Sequence, residues 1–336
     1  MQNIRERVSS RHFGLGVGAL LVVAGLVALP FLVPHVETRT LDASARAGTG
    51  GAYVELSDGV VHYELAGPEG APTIVFVCGF STPYMIWDFT IPALTAAGYR
   101  TLRYDLYGRG FSDRPTSVRY DAGLFDRQLL QLIERLELRT QVTLAGVSMG
   151  GAISVIFAER HPERVNALIL VDPAGFPLPL PFMAKLVQLP GLGEYLMRLV
   201  GDRVIRAGMA GNFHDQSVLP GFSRKFELQL AFAGFQAAQL STLRNMPLQT
   251  LEASYRKVGA TGIPVLLVWG RADSVIPFET SQKVQAAIPQ AELLPVERAA
   301  HTPNYERPEI VNPAIVQFLG SLEAPRASAA APALAP

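Results

Sequence analysis

The sequence predicts a doubly wound, mostly parallel α/β sheet, with a helical cap inserted between two strands and a transmembrane helix ahead of the sheet. Three observations carry that prediction. Short apolar, β-branched runs alternate with helical patterns from about residue 73 onward, the order that parallel strands joined by crossover helices require. Between residues 173 and 262 the alternation stops, and helical segments broken by Pro and Gly replace it without a convincing strand. Upstream, Phe13 to Val33 is a run of twenty-one residues without a charge, long enough to cross a hydrocarbon layer of about 30 Å as a helix.

Composition sets the outer bounds. A chain of 336 residues, 49% of them hydrophobic, can build one large α/β domain plus an insertion, which excludes disorder throughout. With 29 basic and 29 acidic residues the formal net charge is zero, so there is no electrostatic footprint for nucleic acid. The single cysteine, Cys78, cannot form an intramolecular disulfide, and no Cys/His cluster has metal-ligand spacing. Neither a metal nor a cofactor is expected.

Residues 1–12 form a basic segment. Arg5, Arg7 and Arg11 precede the apolar run 13–33, a bias that places the amino terminus in the cytoplasm and the folded body outside it. A cleaved secretory signal, leaving a secreted or periplasmic protein, is the competing reading, because Ala43-Ser44-Ala45 and Ala45-Arg46-Ala47 resemble small-residue cleavage sites. The apolar run exceeds the roughly 7 to 15 residues of a signal core, which favours an uncleaved anchor. Residues 34–51 are expected as a flexible linker and the Ala/Pro-rich residues 323–336 as a disordered tail.

The first part of the core spans 52–172. Tyr53 to Leu56 and Val60 to Leu65 flank Ser57-Asp58-Gly59 as a hairpin. Thr73 to Val77 is a buried strand ending at Cys78-Gly79-Phe80, and Tyr99 to Tyr104 is a second, ending in a turn-rich loop from Asp105 to Pro115 with an architectural role. A helix from about Ala122 to Leu138 presents Leu129, Ile133 and Leu136 on one face. The strand Gln141 to Ala145 then delivers Gly146-Val147-Ser148-Met149-Gly150, ahead of a helical run from Ala152 to Arg160. A strand turning sharply into a helix forces its serine into a strained conformation that exposes the hydroxyl, and Gly146, Gly150 and Gly151 make the tight approach possible.

Val165 to Val171 is a further strand, ending at Asp172-Pro173. The cap, 173–262, carries apolar clusters at Phe182-Met183, Leu196-Met197 and Phe232 to Phe235. The second part of the core, 263–322, holds the strands Pro264 to Trp269 and Ala291 to Val296, the first leading to Asp273 and the second to His301. Helices are expected from Phe278 to Ala287 and from Pro308 to Leu322.

Ser148, Asp273 and His301 therefore fall at one edge of the sheet. A serine hydroxyl is a poor nucleophile at neutral pH and needs a base to take its proton, a task imidazole suits. His301 is that base, because it alone of the six histidines follows the last strand. A carboxylate must hold the ring in the correct tautomer, and Asp273 is preferred over Asp172, which also ends a strand. The backbone N–H groups of Met149 and Phe80 are the expected oxyanion donors, each worth about 3 kcal/mol in the transition state.

From about residue 52 to 322 the chain resembles the α/β-hydrolase family. The resemblance rests on Gly79-Phe80 as the oxyanion turn, Gly108-Arg109-Gly110-Phe111-Ser112 as the glycine loop and Gly146 to Gly151 as the elbow. Trp269-Gly270-Arg271-Ala272-Asp273 and Ala300-His301 match the acid and base segments. Cys78 departs from the pattern, since many members have histidine before the oxyanion glycine. Members with Asp at the elbow are dehalogenases and epoxide hydrolases, and Ser148 argues against both. Anchor and apolar cap together resemble membrane-associated lipases of the monoacylglycerol type. The resemblance implies a serine hydrolase that cleaves small-molecule or lipid esters with apolar acyl chains through an acyl-enzyme. A carbon–carbon bond hydrolase, a cofactor-free perhydrolase and a non-catalytic ligand-binding protein are the alternatives.

Overall fold

The computed structural model describes residues 24–25, 28–29, 32–138, 141–179 and 182–323. Most of the expected span 13–33 lies outside them, as does the expected tail beyond Glu323, which ends the last helix. Among the described residues no helix is long and apolar enough to cross a membrane.

Eight strands form one sheet: β1 (Ala52–Leu56), β2 (Gly59–Ala66), β3 (Thr73–Val77), β4 (Arg100–Tyr104), β5 (Val142–Val147), β6 (Val165–Val171), β7 (Val265–Gly270) and β8 (Ala291–Val296), in the order β1-β2-β4-β3-β5-β6-β7-β8. β2 pairs antiparallel with β1 and β4, and every other pairing is parallel. The residues of β3, β5 and β7 are buried throughout, as strands covered on both faces must be, which is why they lack an alternating pattern. The connection from β3 leads to β4 on one side and that from β5 to β6 on the other. The order thus reverses between β3 and β5, and a crevice opens at their carboxyl ends.

The helices are α1 (Ala43–Arg46), α2 (Ile91–Ala96), α3 (Ala122–Arg135) and α4 (Met149–Arg160). Then come α5 (Phe182–Val187), α6 (Leu192–Leu196), α7 (Asp202–Gly208), α8 (Leu219–Glu227), α9 (Phe235–Asn245) and α10 (Glu252–Thr261) between β6 and β7. α11 (Thr280–Ala287), α12 (Pro303–Glu306) and α13 (Pro308–Glu323) complete the described residues. Asp121 caps α3 by accepting from the Leu124 N–H, and Leu124, Gln128, Leu132 and their neighbours bury one face of it. This helix stops at Arg135 rather than Leu138, because Glu137 takes a φ of 50° and the Leu138 N–H turns back to the Ile133 carbonyl, closing the end.

Three element boundaries position the site. β5 runs to Val147, two residues beyond the expected end, since Val147 pairs with Val171, and α4 starts at Met149 instead of Ala152. α10 packs on the core helices α4 and α11, so the insertion covers the site only as far as α9. The Tyr255 hydroxyl fixes α10 there by donating to the Ala174 carbonyl at 2.7 Å.

Residues 34–51 are not the free linker expected from their composition. Arg39 forms a bridge with Phe232, and the Glu37 carboxylate accepts the Gly234 and Gln236 N–H groups at the start of α9. Arg46 pairs with Asp113. Small polar residues read as flexible in one dimension, but here their backbone finds partners across the fold.

The far end of this strap is held by His62, which is buried and stacked between Tyr53 and Tyr84. Its Nδ1 faces Asp105 Oδ2 at 2.8 Å and its Nε2 faces the Gly50 carbonyl at 3.0 Å. Both partners are acceptors, and only a doubly protonated ring satisfies both at once. Burial alone pushes its pKa down, but the hydrogen bond and charge of Asp105, with the Gly50 carbonyl, lift it above the ordinary 6.5. A raised histidine stabilises the fold below its unfolded pKa and loses that contribution as pH rises through the folded value. The melting-temperature advantage of wild type over His62→Gln is therefore expected to be largest near about pH 5.5 and to shrink by about pH 9. An advantage flat across that range would contradict a charged His62.

Candidate active site

Ser148 sits between the last residue of β5 and the first of α4, with φ 55° and ψ −118°. A non-glycine residue adopts positive φ only where its surroundings over-determine it. Here the Ser148 N–H donates to the Val171 carbonyl at 2.9 Å, and its own carbonyl accepts from Gly151 and Ala174, both at 3.0 Å. Gly150 is required by close approach rather than by its own φ: a Cβ there would drive into the Val77 and Cys78 carbonyls. The loop after β3 therefore lies directly against the elbow. An ideal Cβ on Gly79 would stand 3.7 Å from that of Ser148.

Met149, as the first residue of α4, has an N–H that no preceding helical turn can accept. Phe80 follows Gly79 in the neighbouring loop and lines the same cavity as Ser148. Cys78, fully buried, donates its thiol to the Tyr104 carbonyl at 3.3 Å, and burial raises its pKa well above the ordinary value. It is an inert packing group in the position where the family pattern has histidine.

Asp273 and His301 come from the loops after β7 and β8, which are pressed together. The Arg271 N–H donates to the Val296 carbonyl and the Ala272 N–H to the Ala299 carbonyl. His301 Nδ1 lies 2.8 Å from Asp273 Oδ2, and both side chains are buried. Asp273 Oδ1 accepts two further bonds, from the Val275 N–H at 2.7 Å and the Ile276 N–H at 2.9 Å. The carboxylate is thus locked by its own turn before it meets the ring.

Asp172, the rival acid, is in the same cluster: one ligand atom each of Asp172, Asp273 and His301 lie within 4.8 Å of one another. Its role differs. It is fully buried with φ 42°, and its Oδ1 accepts the Gly270 N–H at 2.9 Å. Burial, and then the negative charge of Asp273, push its pKa far above the carboxylate range. Burial and the neighbouring carboxylate thus both favour the neutral form of Asp172, and its Oδ2 has no hydrogen-bond partner among the described residues. The three side chains form a donor set that a cation could use, and two of them, His301 and Asp273, bond to each other.

A raised pKa at Asp172 has a measurable consequence. An acid neutral in the fold but ionised when unfolded costs stability as pH rises above its unfolded pKa of about 3.8. Asp172→Asn removes the ionisable group and is expected to melt higher than wild type at neutral pH, with the gain vanishing below about pH 4. Asp172→Ala, which leaves the Gly270 N–H without its acceptor, is expected to lose about 1–3 kcal/mol. A lower melting temperature for Asp172→Asn at pH 7 would show that Asp172 is ionised.

Ser148 and His301 open on one cavity of about 700 Å³. Its walls are apolar and come mostly from the cap, with Met183, Leu196, Val200, Val204 and Ile205 facing Phe80 and Ile86. None of the described residues that line it is charged. Phe182 and Met183 are exposed, at 72% and 52%, whereas Phe232 and Phe235 are buried in the cap.

Sequence reasoning missed three residues around this site. Glu306 accepts the Ala300 N–H beside His301 at 2.9 Å and, with its other oxygen, the Asp215 N–H of the cap. Gln229 and Arg109 bind the loop that carries Phe80. Arg109 entered only as a member of the glycine loop, without a role of its own, and nothing in the sequence distinguished Gln229 or Glu306 from surface residues.

Known proteins resemble the chain over most of its length. The AB hydrolase superfamily protein YisY of Bacillus subtilis (strain 168) is 28% identical over 279 residues, which are 81% of this chain and 100% of that protein. The 2-hydroxymuconate semialdehyde hydrolase of Pseudomonas sp. (strain CF600) is 26% identical over 254 residues, 72% of this chain and 84% of the other. Among solved structures, a membrane phospholipase A described as a bacterial virulence factor superposes with a TM-score of 0.66 at 27% identity, covering 94% of this chain and 99% of that one. The profile of the alpha/beta hydrolase family matches residues 74–314, from β3 to beyond His301, and the chain belongs to that family.

Proposed function

We propose that the protein is a serine hydrolase of carboxylic esters with apolar acyl chains, held at a membrane through residues 13–33. The observation that carries this reading is the strained Ser148 and the Asp273-bound His301 opening together on an uncharged, apolar cavity. His301 Nε2 takes the Ser148 proton as Oγ attacks the ester carbonyl, and the N–H groups of Met149 and Phe80 receive the negative oxygen. The imidazolium, held by Asp273, returns the proton to the departing alkoxide, and the alcohol leaves an acyl-enzyme. Water then attacks with His301 as base, releasing the acid and restoring Ser148.

Each methylene buried in such a cavity is worth about 0.8 kcal/mol. With full-length protein in detergent, kcat/KM on p-nitrophenyl esters is expected to rise up to about fourfold per methylene until the cavity is filled. If neither ester turnover nor labelling by a fluorophosphonate depends on Ser148, the hydrolase reading is wrong. Preference for acetate over every longer ester would remove only the apolar-chain refinement.

Carbon–carbon bond hydrolysis is the second reading, favoured by the similarity to the 2-hydroxymuconate semialdehyde hydrolase. A substrate of that kind carries a carboxylate, and no lysine or arginine is among the described residues lining the cavity. The ester is therefore preferred. Similarity to the membrane phospholipase A over 94% of the chain supports both the ester and the anchor. Extraction by detergent but not by alkaline carbonate, with the amino-terminal residues still present by mass, is the expected behaviour of an anchored chain.

A further inference from the structure

Arg109 is completely buried, and among the described residues no carboxylate pairs with it. Enclosing an ion costs several kcal/mol, and an apolar side chain would fill the same space without that penalty. Burial pulls its pKa down to about 9, which still leaves the guanidinium cationic at neutral pH. Its donors are spread over three separate pieces of the fold. Nε donates to the Phe80 carbonyl at 2.7 Å, Nη1 to the Tyr107 carbonyl at 3.1 Å, and Nη2 to Thr242 Oγ1 of α9 at 2.9 Å. The Phe80 ring also lies 5.5 Å from the guanidinium carbon.

Gln229 repeats the arrangement one residue further on. Its Oε1 accepts the Gly110 N–H at 2.8 Å and its Nε2 donates to the Ser81 carbonyl at 2.9 Å. Two successive carbonyls of the loop after β3 are therefore clamped, one by the glycine loop and the other by the cap. A planar guanidinium fixes direction as well as distance, which a lysine cannot do.

We propose that Arg109 is a positioning residue for the oxyanion hole: it fixes the Phe80 carbonyl, places a positive charge at the loop that receives the developing negative charge, and ties that loop to the cap through Thr242. The inference rests on the reading of Phe80 and Met149 as oxyanion donors. Such donors act only when they lie about 2.7–3.1 Å from the developing oxyanion, and a displacement near 1 Å costs about 10²-fold in rate. The cap then does more than wall the cavity. Its seating on Arg109 sets the geometry of the transition-state site.

The test uses full-length protein in detergent, p-nitrophenyl butyrate as substrate, and a p-nitrophenyl phosphonate both to titrate active sites and to measure the rate of phosphonylation. Arg109→Met is expected to lower kcat per titrated site and the phosphonylation rate by about 10²-fold, with KM changed by less than about threefold. Arg109→Lys, which keeps the charge, is expected to recover about tenfold of that loss. Thr242→Val removes the cap-side acceptor of Arg109, together with the hydroxyl's bond to the Ala238 carbonyl within α9, and is expected to lower kcat severalfold. A merely structural Arg109 would lower the melting temperature and the titre while leaving kcat per site unchanged, and that result would overturn the proposal. Should Arg109→Met not fold, unchanged kcat per site in both Arg109→Lys and Thr242→Val would overturn it equally. If wild type shows no Ser148-dependent turnover or labelling, the hydrolase reading fails and this inference with it. Normal wild-type turnover with unaffected variants sinks this inference alone.

Discussion

Replacing Ser148 by alanine is expected to lower kcat/KM on a carboxylic ester by about 10⁴- to 10⁶-fold and to abolish phosphonate labelling. The expected loss is this large because the hydroxyl supplies the bond that forms, and the remaining donors can only polarise a carbonyl that water attacks unaided. Stability tells whether the loss is chemical. Alanine inherits the φ of 55° and should melt close to wild type, whereas Ser148→Gly, equally inactive, is expected to be more stable by about 1 kcal/mol because glycine adopts that angle without strain. Calorimetry on both variants beside the rate measurement separates a removed nucleophile from a damaged elbow. A Ser148→Gly variant that melts below wild type would contradict stored strain at this position.

Asp273→Asn is expected to lose about 10⁴-fold in kcat with the fold intact. The direction follows from the bonds the carboxylate makes. Oδ1 accepts from two N–H groups, of Val275 and Ile276, so an asparagine must place its carbonyl oxygen there and turn its NH₂ toward His301 Nδ1. An NH₂ group facing Nδ1 makes that nitrogen an acceptor, which moves the ring proton to Nε2 and removes the lone pair that should take the serine proton. Asp172→Asn has no such effect on the tautomer, because Asp172 does not bond the ring. Comparing the two asparagine variants on one ester decides the acid. A larger loss in Asp172→Asn than in Asp273→Asn would reverse the assignment.

Much of this site was legible because its chemistry-bearing residues sit at predictable points of a parallel sheet. β3, β5, β6 and β7 read as apolar runs since both faces are covered, and Ser148, Asp273 and His301 each lie just beyond a strand. The boundaries were less legible. Val147 belongs to β5 because it pairs with Val171, a partner far away in sequence, and α10 lies within the expected cap by position while packing on α4 and α11. Residues 34–51 misled for the same reason: their composition is that of a linker, and their partners on the cap are about two hundred positions further along, Glu37 to Gln236 among them.

The sequence by itself determined the strand and helix alternation and the helical insertion, and it placed Ser148, Asp273 and His301 beyond strand ends at one edge of the sheet. Those follow from local pattern, residue chemistry and the fixed direction of crossover connections. Only the tertiary structure distinguished the two aspartates, since Asp273 bonds the His301 ring while burial and the nearby charge raise the pKa of Asp172, and neither is encoded position by position in one sequence. It alone brought Arg109, Gln229 and Glu306 to the site. Hydrogen bonds between loops depend on where the sheet and the cap bring their ends, and that placement is a property of the packed whole.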